Sequence, residues 1–196
     1  MPEFPTSPAT ILFPEALRMS SPLRIQVAKR TMATATHLAA LGQQTFIEAF
    51  AADNKAEDMA QYVAENFSPE IQWAELQQPE TIFLLAYFQE TPVGYAKLKL
   101  NATLGLQSEK TTHSQLEIER LYVQEDWIGT GLGASLMRRA IEEAKLNGCR
   151  AVVLGVWEKN LRALEFYRRF GFKTIGQHAF VLGTDVQQDL ILRKGL

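Results

Sequence analysis

The run Trp127-Ile128-Gly129-Thr130-Gly131-Leu132-Gly133-Ala134 sets three glycines at every second position, just ahead of an amphipathic segment. Glycine lets backbone approach a ligand closely and takes dihedrals that other residues avoid. A glycine turn opening a helix aims unpaired N–H groups outward at the positive end of the helix dipole, and that arrangement binds phosphates. Upstream, Glu117 and Glu119 alternate along a strand-like segment. By its two-residue period they share one face, with Arg120 turned to the other. Phosphate binding, with carboxylates one strand away to accept a proton, is the chemistry these residue types allow.

The elements that must position these groups follow from periodicity. Strand-like segments are Leu23 to Ala28, Thr81 to Phe88, Val93 to Leu100 after the turn Glu90-Thr91-Pro92, Leu116 to Val123, and the nearly all-apolar Ala151 to Val156. Lys173 to Leu182 and Val186 to Arg193 close the series. Helical spacing covers Thr34 to Phe50, Glu57 to Phe67, Gly131 to Asn147 with Gly148 as its stop, and Asn160 to Phe170 with Asn160 as its cap. Asn101 to Ser114 reads as a polar hairpin loop. The order implies an α/β (α+β) fold with one mixed sheet of about seven strands flanked by about four helices.

Length and composition narrow the class. The 196 residues suit one well-buried domain, read as residues 23–196. Residues 1–22 hold five prolines and no basic, apolar leader, and read as a flexible N-terminal extension. A net charge of −2 argues against a nucleic-acid partner. No apolar run reaches the ~20 residues a bilayer span needs. One cysteine, Cys149, fits a reducing compartment, so the expectation is a cytoplasmic protein. His37, His113 and His178 show no metal spacing with each other or with Cys149, and no metal is expected. Of the three, only His178 falls in a segment that looks functional; Cys149 reads as packing.

Two phosphate binders compete with the one adopted. A nucleotide-hydrolysing loop needs Gly-Lys-Ser/Thr, whereas Gly133 is followed by Ala134 and Ser135. A dinucleotide fingerprint matches Gly129, Gly131 and Ala134, with Glu158 as the ribose acid. However, five residues separate Val123 from Gly129, Glu117 and Glu119 lie in the preceding strand, and only about 60 residues follow the turn. A doubly wound domain needs a strand leading directly into its glycines and a longer remainder.

The segment Leu121 to Gly133 resembles the acetyl-CoA pyrophosphate loop of the GNAT N-acetyltransferases, with Ile128 where Gln or Arg is usual. The run Asn160-Leu161-Arg162-Ala163-Leu164-Glu165-Phe166-Tyr167-Arg168-Arg169-Phe170-Gly171-Phe172 is similar to that family's Asn-x-x-Ala-x-x-Phe-Tyr-x-x-x-Gly-Phe. Its positions 160, 163 and 167 lie on one helical face, because seven residues make nearly two turns. Leu154 to Asn160, Gly176 to Asp185 and Gln188 to Ile191 resemble the bacterial PaiA-type branch, which acetylates spermidine and spermine.

The resemblance implies a sheet splayed between its fourth and fifth strands, with a bulge there. It implies acetyl-CoA as co-substrate, held by Leu121, Tyr122, Val123, Ile128, Gly129, Thr130, Gly131, Leu132, Gly133, Ala134, Asn160, Ala163 and Tyr167. Backbone N–H near Leu121 to Val123 would polarise the thioester carbonyl. Glu117 or Glu119, or both, would accept a proton from the amine, and Tyr167 would protonate the departing thiolate. On the acceptor side, Glu48, Asp53, Glu57 and Asp58 would attract a cation and Trp157 would line the site. The function implied is N-acetylation of a primary amine by direct transfer in a ternary complex, with a polyamine first among small-molecule acceptors. A protein N-terminus, another small amine, or a non-catalytic acetyl-CoA-binding regulator are the alternatives. The family also admits a homodimer.

Overall fold

Phe83, Leu85 and Tyr95 face one side of a sheet, and Leu84, Ala86 and Ala96 face the other. Each set packs on its own helices, so the two-residue period of the strands builds two cores. The computed structural model describes residues 23–106 and 114–196. The expected extension 1–22 and His113 lie outside those residues.

In chain order the elements are β1 (Leu23–Val27), α1 (Met32–Phe50), α2 (Ala56–Asn66), α3 (Pro69–Gln77), β2 (Thr81–Phe88), β3 (Thr91–Lys99) and β4 (Gln115–Val123). A 3-10 turn, Glu125–Trp127, precedes α4 (Leu132–Leu146), β5 (Ala151–Trp157), α5 (Leu161–Arg169), β6 (Lys173–Leu182) and β7 (Asp185–Gly195). The seven strands form one sheet in the order β1-β2-β3-β4-β5-β7-β6. Only β4 and β5 run parallel among the neighbours. The single mixed domain is as expected.

Each helix has a local reason to start. The Thr31 hydroxyl accepts from Thr34 N at 3.2 Å, so α1 begins two residues earlier than its apolar pattern suggests. Asn160 Oδ1 accepts from Ala163 N at 3.0 Å. Gly148, at φ +70°, stops α4. The described residues hold five α-helices rather than about four. The additional one, α3, opens with Ser68 capping Ile71 N and Pro69 in its first turn. Its core-facing positions include Gln72, fully buried with its Nε2 donating to Asn66 O at 2.7 Å. A glutamine on the buried face breaks the apolar period that would have revealed the helix.

On one face, α4 packs Leu132, Leu136, Met137, Ala140 and Ala144 against β2–β5. On the other, α1 and α3 cover Phe83, Leu85 and Tyr95. A third cluster of Phe46, Met59, Phe67 and Leu182 ties α1 and α2 to the end of β6. There Asp58, 5% exposed, accepts from Thr184 N at 2.8 Å and from Thr184 Oγ1 at 3.1 Å. Asp58 therefore clamps α2 to the β6–β7 turn instead of facing an acceptor.

Replacing Asp58 with Ala removes the hydrogen bonds that its carboxylate accepts from Thr184 and should cost about 1–3 kcal/mol. Urea unfolding of the D58A variant measures this, and an unchanged midpoint would contradict the clamp.

Candidate active site

The parallel pairing of β4 and β5 lasts only three residues, from Gln115–Ala151 through Glu117–Val153. Beyond it β4 follows β3 to Val123 and β5 follows β7 to Trp157, and a wedge opens between them. Gln124 N donates to Val93 O at 3.0 Å, which fixes the alternation. Tyr122 and Gln124 direct their amides at β3, so those of Leu121 and Val123 face the wedge. Similarly, Glu158 N donates to Gln188 O at 3.0 Å, turning the backbone groups of Gly155 and Trp157 toward β4. The wedge continues into a cleft of about 750 Å³.

The glycine turn forms one rim of this cleft. The 3-10 turn takes up the residues between Val123 and Gly129, which is why strand and glycines are not contiguous. Gly129 and Gly131 sit at φ +83° and +91°, where side-chain-bearing residues are strained. A Cβ added at Gly129, Gly131 or Gly133 would meet nothing within 4 Å, so the space above the turn is open. Gly131 is the N-cap of α4 and offers no side-chain cap, which leaves the first-turn N–H groups available. Arg138, Arg162 and Arg169 also line the cleft. Reading the sequence missed all three, although each lies within or one turn beyond a recognised motif.

Of the residues expected to hold the co-substrate, Leu121, Tyr122, Val123, Ile128, Gly129, Gly131, Gly133, Ala134, Asn160, Ala163 and Tyr167 line the cleft. Two do not. Leu132 is buried under the sheet in the core, and Thr130 turns its hydroxyl back to Trp127 O at 2.8 Å. Tyr167 packs between Phe166 and Phe172, with ring centroids 5.3 and 5.9 Å away. Burial pushes its phenol up to about 12, so it stays protonated as a donor. Tyr122 is raised well above the ordinary phenol range by burial, with Tyr95 and Tyr62 beside it.

The two carboxylates are placed differently. Leu98 pairs with Ile118 and Lys97 with Arg120, which leaves Glu119 as the extra residue of a bulge on β4. The splay thus lies between β4 and β5 as expected, and the bulge lies on the other side of β4, against β3. A bulge cancels the alternation, so Glu119 and Arg120 turn to the same face, contrary to the regular-strand expectation. There Lys97 Nζ lies 2.6 Å from Glu75 and 2.7 Å from Glu119, and Arg120 lies 2.8 Å from Glu75. Glu75, which joins Lys97 to Arg120, is presented by α3, the helix that apolar spacing does not show.

Glu119 lines the main cleft, whereas Glu117 lines a smaller cavity of about 380 Å³ behind it. Burial raises the Glu117 carboxyl above its ordinary range, and Glu119 adds to the effect. Asp189, raised by burial, and His178 border the same cavity. His178 Nε2 and Asp189 Oδ2 converge over Gly155, where a Cβ would meet them at 3.2 and 3.4 Å. His37 is exposed on α1, and Cys149 is buried. Among the described residues no group of three or more His, Cys, Asp or Glu side chains is arranged to hold a metal ion.

The acceptor-side expectations separate as well. Glu48 reaches the cleft wall, where its carboxylate accepts from Glu125 N at 3.0 Å and Gln44 Nε2 at 2.8 Å. Trp157 lines the cleft beside Phe50, 6.4 Å between centroids, with Lys159 Nζ 5.7 Å from its ring. Asp53 sits exposed on the turn after α1 and does not line the cleft. Phe46, Phe50, Tyr62 and Phe180 form an aromatic wall that the sequence presents only as helix and strand core positions.

Comparison with known proteins fits this geometry. The family described as Acetyltransferase (GNAT) family matches residues 44–172. An uncharacterised N-acetyltransferase from the pepI 3' region of Lactobacillus delbrueckii is 33% identical over 157 residues, covering 80% of this chain and 89% of the relative. The spermine/spermidine N(1)-acetyltransferase of Bacillus subtilis is 28% identical over 95 residues, 48% of this chain and 60% of the relative. The crystal structure of a PaiA N-acetyltransferase from Thermoplasma acidophilum, in complex with coenzyme A, superposes with a TM-score of 0.70 at 21% identity. That likeness covers 88% of this chain and 99% of the other and bears on the fold. No helix among the described residues is long and apolar enough to cross a membrane.

The raised Glu117 carboxyl gives a signed expectation for stability. Its folded state favours the protonated form, so its contribution is full below the unfolded pKa of ~4.3 and is lost as pH rises through the folded value. Glu117→Gln imitates the protonated group. The variant should be more stable than the parent at pH 8, with the gap closing toward pH 4. Urea unfolding at the two pH values checks this, and a pH-independent difference would contradict it.

Proposed function

The chain belongs to the GNAT family of acetyltransferases, and from that premise we propose that it transfers the acetyl group of acetyl-CoA to a primary amine. The acceptor we propose is a polyamine such as spermidine or spermine, with both substrates bound together. One observation carries the reading: the open β4–β5 wedge, the uncapped glycine turn and Glu119 meet in a single cleft.

The residues fit acetyl-CoA on their own terms. Two interior strand edges offer unpaired backbone groups to a pantetheine arm, and the turn offers N–H groups with space above them for a pyrophosphate. Arg138, Arg162 and Arg169 supply positive charge along the cleft lining. When bound, acetyl-CoA supplies the thioester whose acyl group is transferred. Amide groups of Leu121 and Val123 suit its carbonyl oxygen, and Asn160 and Ala163 admit the arm beside α5.

An aliphatic amine titrates near ~10 and must lose a proton before it can attack. Glu119 takes that proton, directly or through water, because it reaches the cleft and Glu117 does not. Glu117, with its raised carboxyl, stands behind it as the next acceptor. Tyr167, protonated at any working pH, donates to the departing sulfur.

Support for a polyamine comes from the cleft floor. Glu119 and Asp189 place carboxyl groups there, with Tyr62, Phe50 and Phe180 alongside to cover methylene segments and ammonium groups. Asp58 and Asp53 have no part in this, so recognition rests on the sheet rather than on the α1–α2 connection. The similarity over about half of this chain to a spermine/spermidine acetyltransferase points the same way. Charge attraction of this kind weakens with salt.

Release of free thiol from acetyl-CoA across a panel of polyamines, amino sugars and peptides tests the proposal. Polyamines should react fastest, with kcat/KM falling as salt is added. Tight coenzyme A binding with no release for any amine would leave a regulator as the reading. Within the active protein, Glu119→Gln should lower kcat by about 100-fold or more and leave acetyl-CoA affinity intact. Tyr167→Phe should also lower kcat at saturating substrate, and parental turnover in that variant would remove its role.

A further inference from the structure

Lys97 lies in the interior strand β3 and is 7% exposed, an unusual place for a lysine. Its ammonium sits between two carboxylates, Glu75 at 2.6 Å and Glu119 at 2.7 Å. The bulge opposite it is what delivers Glu119 to this face. A regular strand would send Glu119 or Arg120 to the far side, and one of the two ion pairs would be lost. Burying such a network is a poor route to stability, since apolar residues of similar size generally do as well or better. The arrangement therefore calls for a role in the site.

We infer that Lys97 is the positioning residue for Glu119: it fixes the carboxylate at the cleft floor and sets a positive charge against it. The inference rests on the assignment of Glu119 as proton acceptor. Glu75, presented by α3, sets how strongly Lys97 acts, because the two carboxylates share one ammonium. Arg120 takes up the second oxygen of Glu75, at 2.8 Å, and lies over the Phe67 ring. With Lys99 at 3.8 Å from Glu119, the network among the described residues holds three cations and two carboxylates.

Charged and titratable groups surround Glu119. From β3 these are Lys97 and, at 3.8 Å, the half-exposed Lys99. From α3 there is Glu75, and from α2 Tyr62. β4 itself contributes Glu117 and Arg120, β6 contributes His178, and β7 contributes Asp189. Of these, Lys97 makes the closest charged contact.

Two substitutions should move the acid limb of kcat/KM in opposite directions. In Lys97→Gln a polar side chain remains but the charge beside Glu119 is gone. The limb should rise by about one unit, with about tenfold lower kcat/KM below it, in keeping with the shifts of about 1–3 units that a close opposite charge produces. In Glu75→Gln, Lys97 keeps its pairing with Glu119 and no longer shares its charge with Glu75, so the limb should fall. Lys97→Arg should restore a limb near the parental pH, and the KM for acetyl-CoA should stay within twofold in all folded variants. An unmoved limb in either charge-removing variant, or shifts in the same direction, would overturn the inference. If Glu119→Gln is impaired while those limbs stay put, the role of Lys97 fails alone. Full activity in Glu119→Gln would remove the proton acceptor and the inference with it.

Discussion

The hydrogen-bonded pairing of β4 and β5 stops at Glu117–Val153, and the rest of the molecule is arranged around that stop. Both strands are interior to the sheet, where backbone groups are normally paired on both sides. Here β4 is held by β3 and β5 by β7 while their facing edges diverge. The bulge at Glu119 begins two residues past the last parallel pair, and a bulge bends and twists its strand. The bend that opens the wedge thus also turns the carboxylate into it. One irregularity in the sheet sets both the shape of the cleft and the position of its base.

The helices complete the jaws. Helix α4 starts at one side with its first N–H groups uncapped, and α5 starts at the other with its first turn capped by Asn160. The contrast is functional, because the capped terminus already has its donor satisfied and the uncapped one offers donors outward. On the opposite side of the sheet, α3 brings Glu75 and Gln72 to the underside of the cleft floor. The buried charges there cost stability that the apolar cluster of Phe83, Leu85 and Tyr95 with α1 offsets nearby.

Local features that repeat a short pattern were legible in the sequence. The glycine turn and the Asn160–Ala163–Tyr167 face depend on fixed dihedrals and on helix pitch, so their letters determine their geometry. The strands and four of the helices follow from apolar periods for the same reason. Helix α3 escaped because Gln72 occupies a core position where the period demands an apolar residue. The bulge escaped because two residues opposing one is a property of a strand pair, which neither strand records alone. Arg120 was accordingly assigned to the wrong face. Acidic residues around α1 and α2 looked equivalent in the sequence, yet Asp58 is a buried clamp, Glu48 is engaged at the cleft wall and Asp53 is remote from it. Burial and partner choice separate them, and both are set by tertiary contacts.

The central claim is that acetyl-CoA occupies the wedge by pairing with strand edges that the sheet leaves open. Amide hydrogen exchange, resolved residue by residue with and without acetyl-CoA, tests it directly. The amides of Leu121, Val123 and the first turn of α4 should become protected, while that of Tyr122, already directed at β3, stays as slow as before. Unchanged exchange at Leu121 and Val123 in the presence of saturating acetyl-CoA would contradict the account.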